Sequence, residues 1–234
     1  MMKRYLFILI GLLVCLGTAA QKRKVQNRPY IDQRRLHYGF FIGVHAQDLE
    51  FTNNAFVTED GETWFGDVAD YSPAFSVGVL AEAYLTQHVA LRVIPSLYFG
   101  QRKVVFQEQT SQATYRQVMK STLLACPINF KLSAPRYNNH RPFVVAGVNP
   151  LISLTNKNQQ ALLMKKFDCY LEIGLGCDFY LSYFKLIPEL KFCFGLRNLL
   201  EKDRSDLIDK SLLKYTQSLD GAQGKMIMLT FYFE

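Results

Sequence analysis

The chain of 234 residues is 49% hydrophobic with a mean hydropathy of zero, which suits one domain of moderate size and excludes both a disordered chain and a bundle of membrane helices. Its formal charge of +7 would suggest an acidic partner, but Lys3 and Arg4 carry two of those charges, and the stretch from 22 to 35 sets six cations against Asp32. The remaining body is close to neutral, which excludes a folded nucleic-acid-binding face; no nucleic acid is expected as a partner.

Residues 1–20 read as a secretory signal peptide. Lys3 and Arg4 form the basic region, LFILIGLLVCLG the apolar region, and TAA before Gln21 a small-residue cleavage site. The bulky Val14 before Cys15 argues against a lipidation site. The apolar run from Tyr5 to Leu16 is shorter than the roughly 18 residues that argue for a membrane helix. Residues 21–36 form a basic periplasmic arm, which either touches anionic lipid headgroups or a periplasmic partner, or is a solvated linker.

From residue 37 to 234 the sequence breaks into long alternating runs, each with one apolar and one mixed face. HYGFFIGVHAQDLEF sets Tyr38, Phe40, Ile42, Val44 and Ala46 against Gly39, Phe41, Gly43, His45 and Gln47. AFSVGVLAEAYL (74–85), VALRVIPSLYFG (89–100), STLLACPINFKL (121–132) and PFVVAGVNPL (142–151) follow. CYLEIGLGCDFYL (169–181), FKLIPELKFCFGL (184–196) and the closing KMIMLTFYFE complete about eight strands. Many reach ten residues, the length of a membrane-crossing strand and about twice that of an ordinary one. Short connections alternate with long ones, as in an outer-membrane barrel with short periplasmic turns and longer outer loops.

The mixed faces decide which side meets lipid. Glu82, Arg92, Lys131, Glu172, Asp178, Glu189 and Lys191 all lie opposite the apolar faces at mid-strand. A soluble barrel would put its apolar face inside; here that face must point outward. The expected fold is therefore all-β, a transmembrane antiparallel up-and-down barrel in a bacterial outer membrane, with lipid as its first partner. Phe231 and Phe233 join its lipid-facing aromatics, and Glu234 departs from barrels that end on the aromatic. A hairpin across 181 and 182 would set pairs summing to 363, with Glu172 opposite Lys191 and Asp178 opposite Lys185. The short turn at 86–88 would bring Glu82 to Arg92. Pro95, Pro127 and Pro188 fall inside strands and predict bulges or bends. Inward glycines such as Gly174 leave room for bulky lumen side chains.

No constellation for catalysis stands out. His37, His45, His88 and His140 lack a convincing partner, although His45, Gln47 and Asp48 could orient an acid–base pair. Cys126, Cys169, Cys177 and Cys193 lack metal-ligand spacing and read as small apolar side chains. The expectation is a protein without enzyme activity, cofactor or metal. The outer loops are richer: the loop 52–73 sets Trp64, Phe65 and Tyr71 among acidic residues, either to dock another protein or to pack as a cap. The loop after residue 197 offers Arg204, Asp206, Leu212 and Tyr215 as docking candidates. Ile208, Leu212, Tyr215 and Leu219 have helical spacing behind the candidate cap Ser205, with Gly221 and Gly224 as terminators.

From about Arg34 to Glu234 the chain resembles the PorT family of small outer-membrane barrels of the Bacteroidetes type IX secretion system. The resemblance rests on RRLHYGFFIGVHAQDLEF, EDGETWF with YSPAFSVGV, KFDCYLEIGLGCDFYL, FKLIPELKFCFGLRNLL and KDRSDLIDKSLLKYTQSLD, in that order. It implies a role in exporting proteins with C-terminal sorting domains, alongside other secretion components, and it supplies no catalytic residues. A barrel of about eight strands is too narrow to pass folded cargo, so an accessory or assembly component fits better than a conduit. The alternatives are a small barrel enzyme and a surface-loop receptor or adhesin.

Overall fold

The computed structural model describes residues 25–58, 61–70, 72–111, 113–155, 160–205 and 207–234. The signal peptide, the start at Gln21, the cations of 22–24, Tyr71 and Asp206 lie outside the described residues. The strands are β1 (Leu36–Asn53), β2 (Trp64–Asp70), β3 (Pro73–Tyr84), β4 (Val89–Val93), β5 (Ser96–Glu108) and β6 (Thr114–Ala125). They continue with β7 (Ile128–Ser133), β8 (His140–Ser153), β9 (Phe167–Tyr180), β10 (Lys185–Gly195) and β11 (Leu219–Phe233). All pairings are antiparallel, and the sheet closes on itself because β11 pairs with β1 while β8 pairs with β9.

Eleven segments stand where about eight strands are expected because three staves are interrupted. β2 precedes β3 along one stave; Pro95 separates β4 from β5, and Pro127 separates β6 from β7. A proline cannot donate to the ladder. The two breaks lie side by side, with the Ile94 N–H donating to the Pro127 carbonyl at 3.0 Å and Cys126 donating to Pro150 at 3.1 Å. Pro188 stays within β10, but the β9 register skips Ile187 and Pro188.

The alternation read from sequence is the alternation of the wall. Tyr38, Phe40, Ile42 and Val44 are exposed outward, as are Phe130, Leu132, Ile173, Leu175, Ile227 and Leu229. On the opposite face His37, Phe41, His45 and Gln47 are buried. Lipid-facing apolar residues carry no desolvation cost in the bilayer, and the backbone groups are satisfied strand to strand.

β1 has 18 residues. At about 3.4 Å per residue and a tilt near 40° such a strand rises roughly 45 Å, more than the ~30 Å hydrocarbon core. The excess lies at the long-loop end, where the outer face turns polar: Ala46 gives way to Asp48 and Glu50, Ile227 to Lys225, and Lys225 pairs with Glu50 at 2.6 Å. The barrel thus has a membrane zone and an outer extension.

At the short-turn end the arm folds back. Ile31 is buried in a 3-10 turn (Ile31–Gln33), Tyr180 donates its hydroxyl to Asp32 at 2.6 Å, and Asn27 N–H donates to Asn139 at 2.9 Å. From Asn27 onward the arm is therefore docked across the short-turn mouth, not a solvated linker.

The close approach of β7 to β8 requires a glycine. A Cβ at Gly147 would run into the Ile128 carbonyl and the Asn129 backbone, which cannot move without breaking the ladder. Gly147→Ala should cost about 1–3 kcal/mol, read as a lower urea midpoint for the protein refolded in phospholipid vesicles.

Candidate functional site

The inward positions of the membrane zone hold one connected set of ions. Arg92 on β4 donates from Nε to Glu82 at 2.5 Å and from Nη1 to Glu189 at 2.6 Å. Lys131 on β7 donates to both oxygens of Asp178, at 2.8 and 2.9 Å, and reaches Glu82 at 3.4 Å. Lys185 lies 3.6 Å from Asp178 and 2.9 Å from Glu234, while Lys191 lies 3.5 Å from Glu172 and 3.7 Å from Glu189. Glu172 also accepts from Asn129 at 3.0 Å and Asn149 at 2.7 Å. Every lumen ion expected from sequence lies in this set, and all eight are buried.

The register differs from expectation. β9 and β10 pair with sums of 365: Lys191 faces Gly174, Lys185 faces Tyr180, and Cys193 faces Glu172. The connection is four residues long, 181–184, where two were expected. A shift of two residues preserves the faces. Glu172–Lys191 and Asp178–Lys185 therefore meet diagonally, and Gly174 makes room for the Lys191 stem. Glu82 and Arg92 are directly opposed, as expected.

Three members were not assigned from sequence. Glu234 turns inward to Lys185 and His37, closing the set at the short-turn end, and Tyr232 donates its hydroxyl to Glu189 at 3.3 Å. Strand parity could have found them, since 37, 232 and 234 fall on the inward face. Arg92–Glu189 was invisible for a different reason: it crosses the barrel between staves that are four places apart in the ring.

The outer extension inverts this pattern, with an apolar interior. Leu49, Trp64, Phe106, Leu162, Leu199 and Tyr215 form its core. Tyr115 stacks on Tyr215 at 4.4 Å between centroids, and Trp64 donates to Glu62 at 2.8 Å. Lys214 also reaches Glu62 at 2.8 Å, so both partners hold that carboxyl below its usual range. Helix α1 (Leu213–Gln217) follows a 3-10 turn, Lys210–Leu212, capped by Asp209 accepting from Ser211 N–H at 3.0 Å. The cap is thus Asp209 and not Ser205, and Leu219, Gly221 and Gly224 belong to β11 instead of ending the helix. Of the docking candidates, Trp64 and Tyr215 are buried in this core and Arg204 is buried against the Ala161 carbonyl at 3.0 Å. Leu212 is half-buried and Phe65 is exposed. The cap is the geometry these loops adopt.

Histidine chemistry is sparse. His45 meets Gln47 at 2.9 Å, His88 meets the Ser133 carbonyl at 3.0 Å, His140 packs edge-on against Phe179, and His37 meets Glu234 and the Arg34 carbonyl. Cys126, Cys169, Cys177 and Cys193 are free thiols. Among the described residues no group of three or more His, Cys, Asp and Glu is arranged to hold a metal ion.

Residues 19–201 match a family model for the outer membrane protein beta-barrel domain. No curated protein matches the sequence. Among solved structures the chain is similar to OprG of Pseudomonas aeruginosa, with 10% identity, TM-score 0.42, and 84% of this chain and 92% of that chain covered. It is similar to AlkL solved in lipid bilayers, with 10% identity, TM-score 0.40, and 93% and 95% covered. It is also similar to Ail of Yersinia pestis, solved with a heparin analogue, with 10% identity, TM-score 0.37, and 86% and 99% covered. At these TM-scores none of the three carries an argument about this chain.

Removing Arg92 takes the shortest ion pair from both Glu82 and Glu189, leaving them only the longer ion contacts of Lys131 at 3.4 Å and Lys191 at 3.7 Å. Arg92→Met should cost about 3–5 kcal/mol, and adding Glu82→Gln should recover part of the loss, both read from urea midpoints in vesicles. The cap carries a pH signature. Because the folded Glu62 pKa is lowered, its contribution is full above the ordinary glutamate value and is lost as pH falls through the lowered one. Trp64 emission should therefore shift to the red on acidification below about pH 4, and Lys214→Ala should move the onset upward.

Proposed function

The chain belongs to the outer membrane protein beta-barrel domain family and resides in the bacterial outer membrane, and on that premise we propose that it serves the type IX secretion system as a non-enzymatic accessory or assembly component. In this reading it supports export of proteins with C-terminal sorting domains and contacts other components of the machine, with lipid around its wall. The basis for naming that system is the resemblance to PorT barrels, carried by five long sequence blocks in one order from about Arg34 to Glu234.

The observation that carries an accessory role over a conduit is the interior. Arg92 ties opposite walls together, the Trp64–Tyr215 core lies above it, and the docked arm lies below. A folded cargo needs an aqueous passage, and side chains occupy the lumen of so narrow a barrel. A partner is then chosen on the outside of the molecule, and among the described residues Phe65 is the sequence-nominated docking aromatic that remains exposed.

A chromosomal deletion should cause cargo with C-terminal sorting domains to accumulate in the periplasm, and the wild-type gene should restore export. Phe65→Asp in the sole copy should reduce export while the barrel keeps its heat-modifiable gel mobility. Normal export in the deletion strain would reject the secretion role. Hydrolytic activity of the purified barrel toward surface lipid or peptide would favour the enzyme alternative.

A further inference from the structure

Of the paired strands, β6 and β8 share the fewest ladder pairs. These strands share three ladder pairs, Leu123 with Ser153, Leu124 with Ile152 and Ala125 with Leu151, because β8 stops at Ser153 while β6 extends outward to Thr114. Beyond those pairs, Leu154 N–H reaches the Thr122 carbonyl at 2.8 Å and Gln117 bridges to Leu162. Behind the gap lies a cavity of about 60 Å³.

Arg102 and Asp168 form part of its lining, and both are more than nine-tenths buried. The Arg102 Nε meets no hydrogen-bond partner. Asp168 accepts from the Cys169 N–H at 2.7 Å through one oxygen, and its other oxygen is unmet. Lys120, Lys165 and Lys166 also line the cavity and are exposed, without an ion pair among the described residues. Four cations thus face one carboxylate. Leu124, Ile152 and Phe167 are exposed on the lipid side just below, so the cavity sits where the apolar belt gives way to cations.

We propose that this lateral cavity binds a phosphate group presented by an outer-leaflet lipid, with the Arg102 guanidinium at its inner end and the three lysines around its mouth. Exposed lysines alone would be an ordinary solvated rim. A buried guanidinium with an unmet donor is different, because a desolvated donor without an acceptor is costly and guanidinium geometry suits phosphate oxygens. Size narrows the occupant. One water needs about 10–15 Å³ of such volume, so the cavity has room for roughly four to six waters, enough for a phosphate but not for a sugar ring or an acyl chain. The acyl chains would remain outside, against Leu124, Ile152 and Phe167.

The test is native mass spectrometry of the mature protein refolded in detergent, offered phosphatidic acid, diacylglycerol or inorganic phosphate. One retained phosphatidic acid per barrel is expected, with no retained diacylglycerol. Arg102→Gln and the triple variant Lys120→Gln, Lys165→Gln, Lys166→Gln should each weaken retention on the order of tenfold, as expected for losing a charge-assisted hydrogen bond. The triple variant alters exposed side chains only and should keep its heat-modifiable mobility, so it remains informative if Arg102→Gln fails to fold. Equal retention of diacylglycerol, or undiminished retention by the folded triple variant, would overturn the proposal. Inorganic phosphate bound as tightly without lipid would replace the lipid source by free phosphate.

Discussion

The contact on which the rest depends is Arg92 between Glu82 and Glu189. An eight-stave barrel in lipid leaves only its inward positions for polar side chains, and those positions are too crowded and too dry for lone ions. Each charge must therefore find its counterion inside, and some counterions lie on the far wall. Arg92 meets this demand by spanning the barrel, Lys131 reaches past β8 to Asp178, and Lys185 and Lys191 complete the pairing between the neighbouring β9 and β10. The C-terminal Glu234 belongs to the same set through Lys185 and His37. That gives a physical reason for an inward carboxylate one place beyond Phe233.

Above this zone the rule reverses. Once the staves pass the apolar belt, water lies outside, so Asp48, Glu50 and Lys225 turn outward and the interior becomes apolar around Trp64, Phe106 and Tyr215. One continuous strand such as β1 thus carries a membrane-protein pattern in its first half and a soluble-protein pattern in its second. The charged lumen and the apolar cap act in series, and together with the docked arm they fill the barrel. The chemistry available to partners lies on its rim, on its loops and along the gap between β6 and β8.

Much of this was legible because strand parity is a strong signal. The outward and inward sets of β1, β9, β10 and β11 follow from alternation, and the short turn between β3 and β4 fixes Glu82 opposite Arg92. Where the turn length was misjudged, at 181–184, the register slipped by two, yet the faces and the charge partners survived because the slip was even. What sequence could not reach lies beyond parity. Loop 52–73 reads equally as a docking surface or a cap, and the helical spacing around Tyr215 does not say what that residue packs on, so the core that Trp64 and Tyr215 share was not visible. The helix start moved from Ser205 to Asp209 because both offer a capping oxygen and only packing chooses between them. Contacts across the ring, such as Arg92 with Glu189, depend on closure, which no local pattern encodes.

The most direct test of a filled barrel is electrical. Refolded protein incorporated into a planar lipid bilayer should leave the current at the level of the bare membrane across low applied voltages, because the Arg92 ion pairs and the Trp64–Tyr215 core occupy the lumen in series. Long-lived, ohmic single-channel steps from the wild-type protein would contradict the account.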